Sequence, residues 1–373
     1  MALRFGVEEE YFVVDPVSRR VVPRAPAVVA RASADLGDRA STELVASVAE
    51  AKTSPCDDLT KLDEQIRTMR AAMAAAAAAE DLRLAATGTP VLGDPVPPPI
   101  SRGPRYADSL AHYRALDDEM SICSCHVHVG IADRALAVEV SNHLRPWLPT
   151  LLALAANSPY WAGRDTGHAC WRVMSWARWP VAGPPPFFRS LAHFDETVER
   201  LLACGALMDP ATLFWDVRPS IRFPTIEIRL GDVALTADDA VLFAALTRAL
   251  VQRSVTAVER GVPAPDPAPE TLRAACWLAA RDGLSGTGLD TFTGRPAAQR
   301  DLAAGLLAHV RDALQDSGDL DHATIGLRRL LTTGTGAHRQ RAAFRRRDRL
   351  TDVVDAAALR TLASAGGAAD NMG

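Results

Sequence analysis

Three stretches of this chain alternate apolar and polar residues with a period of two, the pattern of a strand with one face in a core. In the first, residues 5–14, the run Glu8, Glu9, Glu10 lies between Phe5-Gly6-Val7 and Tyr11-Phe12-Val13-Val14. Alternation puts Glu8 and Glu10 on one face and Glu9 on the other. The second, 122–131, sets Cys123, Cys125, Val127 and Val129 on one face and Ser124, His126, His128 and Gly130 on the other. In the third, 225–230, Ile226 and Ile228 face the core and Glu227 and Arg229 face away. Asp15-Pro16 opens a turn after the first strand, and 19–22 is expected to return as its hairpin partner.

A period near 3.6 predicts helices over 57–86, 106–120, 135–156, 191–203 and 237–260. The first carries Leu62, Ile66, Met69 and Met73 on one side, with Asp57, Asp58 or Thr60 as its cap and Gly88 past its end. From residue 270 the pattern is helical over 270–281, 296–315, 321–332 and 338–364. Prolines and glycines mark 89–104, around Asp94, as a surface loop, and tryptophan, proline and arginine crowd 157–188, the composition of an ordered functional loop. No internal repeat or linker breaks the chain, so one α+β domain over 1–373, helix-rich from about 270, is expected.

Composition narrows the class. With 373 residues, 48% of them hydrophobic, the chain can bury a large core around a deep pocket. A net charge of -4 with mixed signs provides no field for nucleic acid or for an anionic membrane surface, and the arginine-rich stretch 339–349 is expected to be a solvated helix face. Cysteines 56, 123, 125, 170, 204 and 276 show no framework spacing and follow no secretory segment, which points to a reduced cytoplasmic compartment. No membrane span is read from the pattern, and a homo-oligomer, a dimer first, is the expected assembly.

Two carboxylates side by side on a strand suit a divalent cation, because hard Mg²⁺ takes oxygen ligands and unneutralised neighbours repel. A solvated edge strand bearing protective charges fits the first segment alone equally well. Cys123, Cys125, His126 and His128 suggest zinc, but strand geometry points the thiols away from the imidazoles. Glu227 beside Arg229 fits either a salt bridge or a joint grip on a cation and a phosphoryl group, with Arg218 and Arg222 adding positive charge. Glu43 and Glu50 are seven apart, which puts them on one face of a helix or on opposite faces of a strand. No glycine-rich phosphate loop of the GxxxxGK[ST] or strand-linked GxGxxG kind occurs.

Taken in order, Gly6 to Pro16, Cys125 to Gly130, Asn157 to Asp165, Arg178 to Pro180, Ile226 to Arg229 and Gly334 to Arg341 resemble the carboxylate-amine ligase family, also called glutamate-cysteine ligase type 2. The resemblance runs from about residue 3 to about residue 360. It implies a glutamine synthetase-like fold, a curved and mainly antiparallel sheet with flanking helices. It further implies Mg²⁺, with Mn²⁺ as an alternate, and phosphate held by Glu8, Glu10, Glu43, Glu50, His126 and Glu227. His128 matches a nucleotide-side position, Arg229 one near the transferred phosphoryl group, and Arg164 a contact to the substrate carboxylate. The implied reaction is ATP-dependent: the γ-carboxylate of glutamate is phosphorylated and an amine, cysteine first, captures the acyl phosphate. One departure is local, since Ser47-Val48-Ala49-Glu50-Ala51-Lys52 replaces the commoner Ser-Gln-Val-Glu pattern and puts Lys52 and Ala49 at unusual positions.

Two other classes compete. A zinc-dependent amidohydrolase also carries His-x-His on a strand, but early in a parallel barrel with further histidine ligands later. A binding protein that keeps a nucleotide site without turnover is the other, and the intact set of carboxylates speaks against it.

Overall fold

The structure is a computed structural model that describes residues 3–93 and 96–362. Its centre is a seven-stranded sheet of β1 (Phe5–Val14), β2 (Ala40–Thr42), β3 (Val48–Lys52), β4 (Arg83–Ala85), β5 (Ser124–Gly130), β6 (Val217–Pro219) and β7 (Thr225–Asp232). The order is β6-β7-β5-β1-β3-β2, with β4 pairing the second half of β1, and every pairing is antiparallel. Because β1 lies between β3 and β5, the edge-strand reading of the glutamate run is overturned: its backbone is paired on both sides.

Register aligns the alternation of neighbouring strands. Val7 pairs with Val127 and Val127 with Ile228, so the apolar faces coincide. They pack against Leu62 and Ile66 of the helix Leu59–Ala78 and against Leu242 and Leu246 of the helix Ala237–Glu259. By length and composition that second helix could cross a membrane, yet 72% of its most apolar stretch is buried within the fold. On the other face the same register places polar side chains opposite one another: Glu8 with His126, His128 with Glu227, and Glu10 with Glu50.

Tertiary pairing shortens several predicted helices. The helix expected over 57–86 begins after Asp58, whose carboxylate accepts from the Lys61 amide, and ends at Ala78. The chain then turns through Asp81 at φ 58°, and Arg83–Ala85 joins β1 as a strand, an arrangement that overrides the helix preference of alanine. Arg114 at φ 56° cuts the 106–120 helix down to Pro104–Tyr113 and one further turn. Over 296–315 the chain forms a strand, Arg295–Ala298, paired with Thr287–Asp290 across a turn closed by Gly294 at φ 67°, and then the short helices Gln299–His309 and Arg311–Asp316. The 338–364 helix breaks into Gly336–Phe344 and Leu350–Leu362; of the arginine run, 345–349 is exposed as expected but lies in the turn between them, whereas Arg339 and Arg341 are half-buried on the first helix and paired with Asp239 and Asp165. Residues 363 and 364 lie outside the described residues, as does Asp94 of the 89–104 loop.

That loop is not all surface. Thr89 and Val91 are buried, and further on the Pro99 carbonyl accepts from the Ala46 amide while the Ser101 amide donates to the Leu44 carbonyl. These two bonds brace the turn that carries Glu43. Residues 19–22 return only as a single bridge, Val14 to Val21, not as a strand.

Candidate active site

The polar face of the sheet forms the floor of a cavity of about 410 Å³. Its lining takes Glu8 and Glu10 from β1, Glu50 and Lys52 from β3, Ser124, His126 and His128 from β5, Arg218 from β6, and Glu227 and Arg229 from β7. Glu43 enters from the turn after β2 and Arg172 from the helix Trp171–Trp176.

Within this lining two groups could hold metal ions. Glu8, His128 and Glu227 form one and Glu10, Glu43 and Glu50 the other, each with its ligand atoms within 4.8 Å of one another. In the first, His128 Nε2 lies 3.6 Å from Glu8 Oε2 and 3.9 Å from Glu227 Oε1, while its Nδ1 is 3.0 Å from Thr225 Oγ1. His128 Nε2 is buried without a hydrogen-bond partner and faces two carboxylates, so it is set up as a ligand. His126 sits beside it, Nδ1 3.5 Å from Glu8 Oε2 and Nε2 2.9 Å from Ser124 Oγ. The geometry thus brings His128, more than His126, into the cation group.

Charge is distributed unevenly between the groups. Burial pushes Glu10 up, and Glu50 beside it adds to the effect, to about 7. Burial, then Glu50 and Glu10, drives Glu43 well above the ordinary carboxylate range. Burial also acts on Glu8, but its close contacts with His126 and His128 outweigh it and hold the carboxylate below its usual value. For Glu227 burial is outweighed by Arg229 and then Arg218. Burial and Arg229 lower His126 to about 4, so at neutral pH its ring is uncharged. Ionised Glu8 and Glu227 beside the neutral His126 ring, and three crowded carboxylates next to them, form a donor set that fits hard divalent cations. Among the described residues the two groups contain five carboxylates, one histidine and no cysteine, which disfavours zinc.

A pH dependence follows. Glu10 is raised from 4.5 to about 7 in the folded protein, so the folded form retains a proton that the unfolded chain releases across that window. Glu43 has the same sign, whereas Glu8 and Glu227, being lowered, act only below about 4.5. His126, lowered from 6.5 to about 4, has the opposite sign below about 6.5, so with chelator present the melting temperature is expected to fall as pH rises from about 6.5 to about 8, and millimolar Mg²⁺ should restore most at the upper end. A flat chelator profile in differential scanning fluorimetry would contradict the crowding of these carboxylates.

Arg229 pairs with Glu227, and Arg218 Nε donates to the same carboxylate at 3.0 Å. Arg164 is not brought to the cavity; it is exposed on the small hairpin Tyr160–Trp161 with Arg164–Asp165. Arg172, eight residues on, lines it instead, donating to the Leu230 and Arg229 carbonyls at 3.0 Å each. Asp232, 3.8 Å from Arg172, accepts in turn from the Asn157 amide and Ser158 Oγ, so the Asn157-Ser158 segment braces an arginine. A lone arginine in a tryptophan-rich stretch has no periodic signal, and only the density of 157–188 pointed to it. The thiols of Cys123 and Cys125 are buried in the core, away from the cavity.

A model of the family described as glutamate-cysteine ligase family 2 matches residues 4–356. The chain belongs to that family. A candidate glutamate–cysteine ligase 2-1 of Saccharopolyspora erythraea is 43% identical over 353 residues, 95% of this chain and 93% of its own. A candidate glutamate–cysteine ligase 2-2 of Mycolicibacterium vanbaalenii is 44% identical over 360 residues, 96% and 97% of the two chains. Among solved structures, a glutamate–cysteine ligase of Francisella tularensis in complex with AMP superposes with a TM-score of 0.66 at 11% identity, covering 98% of this chain and 90% of that one. A bifunctional glutathione synthetase of Pasteurella multocida gives 0.69 at 14%, with 96% of this chain on 52% of that one. At these identities the likeness is one of fold, the glutamine synthetase-like arrangement expected from the resemblance. As a member of glutamate-cysteine ligase family 2 the protein is an enzyme, an ATP-dependent amide-forming ligase.

Proposed function

We propose that this ligase joins the γ-carboxylate of glutamate to an amine through an acyl phosphate. The observation that carries the reading is the polar face on which Glu8, His126, His128, Glu227 and Arg229 converge beside Glu10, Glu43 and Glu50. In the first step a carboxylate oxygen of glutamate attacks the γ-phosphorus of ATP, the bond to the β–γ bridging oxygen breaks, and ADP leaves. In the second the amine nitrogen attacks the acyl carbon, the carbon–oxygen bond to phosphate breaks, and nitrogen gives up a proton.

Divalent cations held by Glu8, His128 and Glu227 and by Glu10, Glu43 and Glu50 would neutralise phosphoryl charge. The remaining work is positioning and electrostatics, which needs no protein nucleophile. Glu227 fixes the guanidinium of Arg229 so that its remaining donors are pre-aimed at a phosphoryl oxygen. Arg172, held by backbone carbonyls and 3.8 Å from Asp232, is a fixed part of the cavity wall. Neutral His126, tied to Ser124 and Glu8, keeps Glu8 oriented.

The test is release of ADP and phosphate from MgATP with glutamate fixed and the amine varied. Stoichiometric ADP and phosphate, with hydroxylamine trapping of a glutamyl hydroxamate, are expected. ATP-independent amide hydrolysis with tightly bound zinc would overturn the reading in favour of the hydrolase.

A further inference from the structure

The cavity is polarised along its strands. Near the start of β7, where Glu227 faces His128, it is lined by Arg218, Arg222 and Arg229. Arg222 is exposed and, among the described residues, has no ion pair or hydrogen bond from its side chain. This is the end suited to a polyphosphate. Towards the start of β5 the lining changes to Met120, Ile122, Trp176, Trp179, Met208 and Phe214. The rings contact one another, with centroids 4.7 Å apart for Trp176 and Phe214, 5.2 Å for Trp176 and Trp179, and 5.1 Å for Trp179 and Phe214. Trp179 is buried within this cluster, whereas Trp176 and Phe214 are half-buried and line the cavity. The Ser124 amide donates to Glu10, which couples this apolar end directly to the Glu10, Glu43, Glu50 group.

Positive charge at this end is nearly all committed. Arg105 is paired with Asp209, Arg172 lies 3.8 Å from the buried Asp232 with two of its nitrogens on backbone carbonyls, and Lys52 Nζ lies 3.0 Å from Glu50 with donors to spare. An ammonium with spare donors can serve one α-carboxylate, that of the glutamate donor. A second carboxylate, such as an amino-acid acceptor brings, would be desolvated against tryptophan without a partner. An apolar ring would instead cover Trp176 and Phe214 in the geometry aromatic pairs favour.

We propose that the acceptor is a carboxylate-free amine bearing an apolar ring, an arylalkylamine, whose ring packs on Trp176 and Phe214. This rests on the ligase reading above. Initial rates of ADP release, with MgATP and glutamate fixed, are to be measured for phenethylamine, ethylamine, phenylalanine and cysteine. The kcat/KM for phenethylamine is expected to exceed each of the others by at least about tenfold, and Trp176→Ala should bring its ratio to ethylamine within about threefold. Faster turnover of cysteine or phenylalanine than of phenethylamine overturns the acceptor class and leaves the ligase intact. An unchanged ratio in Trp176→Ala overturns the ring site. ADP from no amine at all overturns the ligase reading and this inference with it. Melting curves establish whether Trp176→Ala folds, and if it does not, the four wild-type rates decide alone.

Discussion

Glu8→Gln is expected to lower the rate of amine-dependent ADP release by about a thousandfold while leaving the melting temperature nearly unchanged. Glu8 is the carboxylate that both imidazoles face, with His126 Nδ1 at 3.5 Å and His128 Nε2 at 3.6 Å, and it is held ionised by those contacts. Glutamine preserves the shape and one acceptor oxygen but removes the charge that a cation needs. Glu227 belongs to the same group, yet it is a poorer probe. It also neutralises Arg218 and Arg229, and Arg218 is buried, so Glu227→Ala leaves two guanidinium groups facing each other and costs folding as well as turnover. The comparison to make is kcat against melting temperature for both variants. Substantial turnover in Glu8→Gln would remove Glu8 from the cation group.

What could be read from residue order was the part governed by period. Alternation alone separated Glu8 and Glu10 from Glu9, the imidazoles from Cys123 and Cys125, and Glu227 and Arg229 from Ile226 and Ile228, because one apolar face per strand leaves no other choice. Contacts between distant segments were not legible. Whether Glu43 joins Glu50 depends on a turn tied to Pro99 and Ser101, half a hundred residues away, and no spacing rule encodes that. The expected helix over 57–86 failed for the same reason: Arg83–Ala85 has the composition to continue it but gains more by pairing with β1. The family resemblance supplied the chemistry of the face, yet it named Arg164, which lies exposed outside the cavity lining, while Arg172 reaches the cavity unannounced.

The middle glutamate changes most between sequence and structure. Turned from the metals, Glu9 was expected to tolerate glutamine far better than Glu8, and for turnover that expectation stands. For stability it does not, because Glu9 is fully buried and accepts from Arg70 Nε at 2.9 Å and from the Tyr11 hydroxyl at 2.7 Å. Arg70 is equally buried and also donates to the Ala234 and Thr361 carbonyls, so one guanidinium ties β1 to the end of β7 and to the C-terminal helix. Glutamine at position 9 strands a buried positive charge, an error that costs about 3–5 kcal/mol. We therefore expect Glu9→Gln to lose that much unfolding free energy in urea while the folded fraction keeps a kcat within about threefold of wild type. Replacing both partners, Glu9→Leu with Arg70→Met, should recover most of the loss, since no charge is then left unpaired. If Glu9→Gln instead abolished turnover at full stability, Glu9 would have to face the cavity, and the strand register that builds the whole site would be wrong.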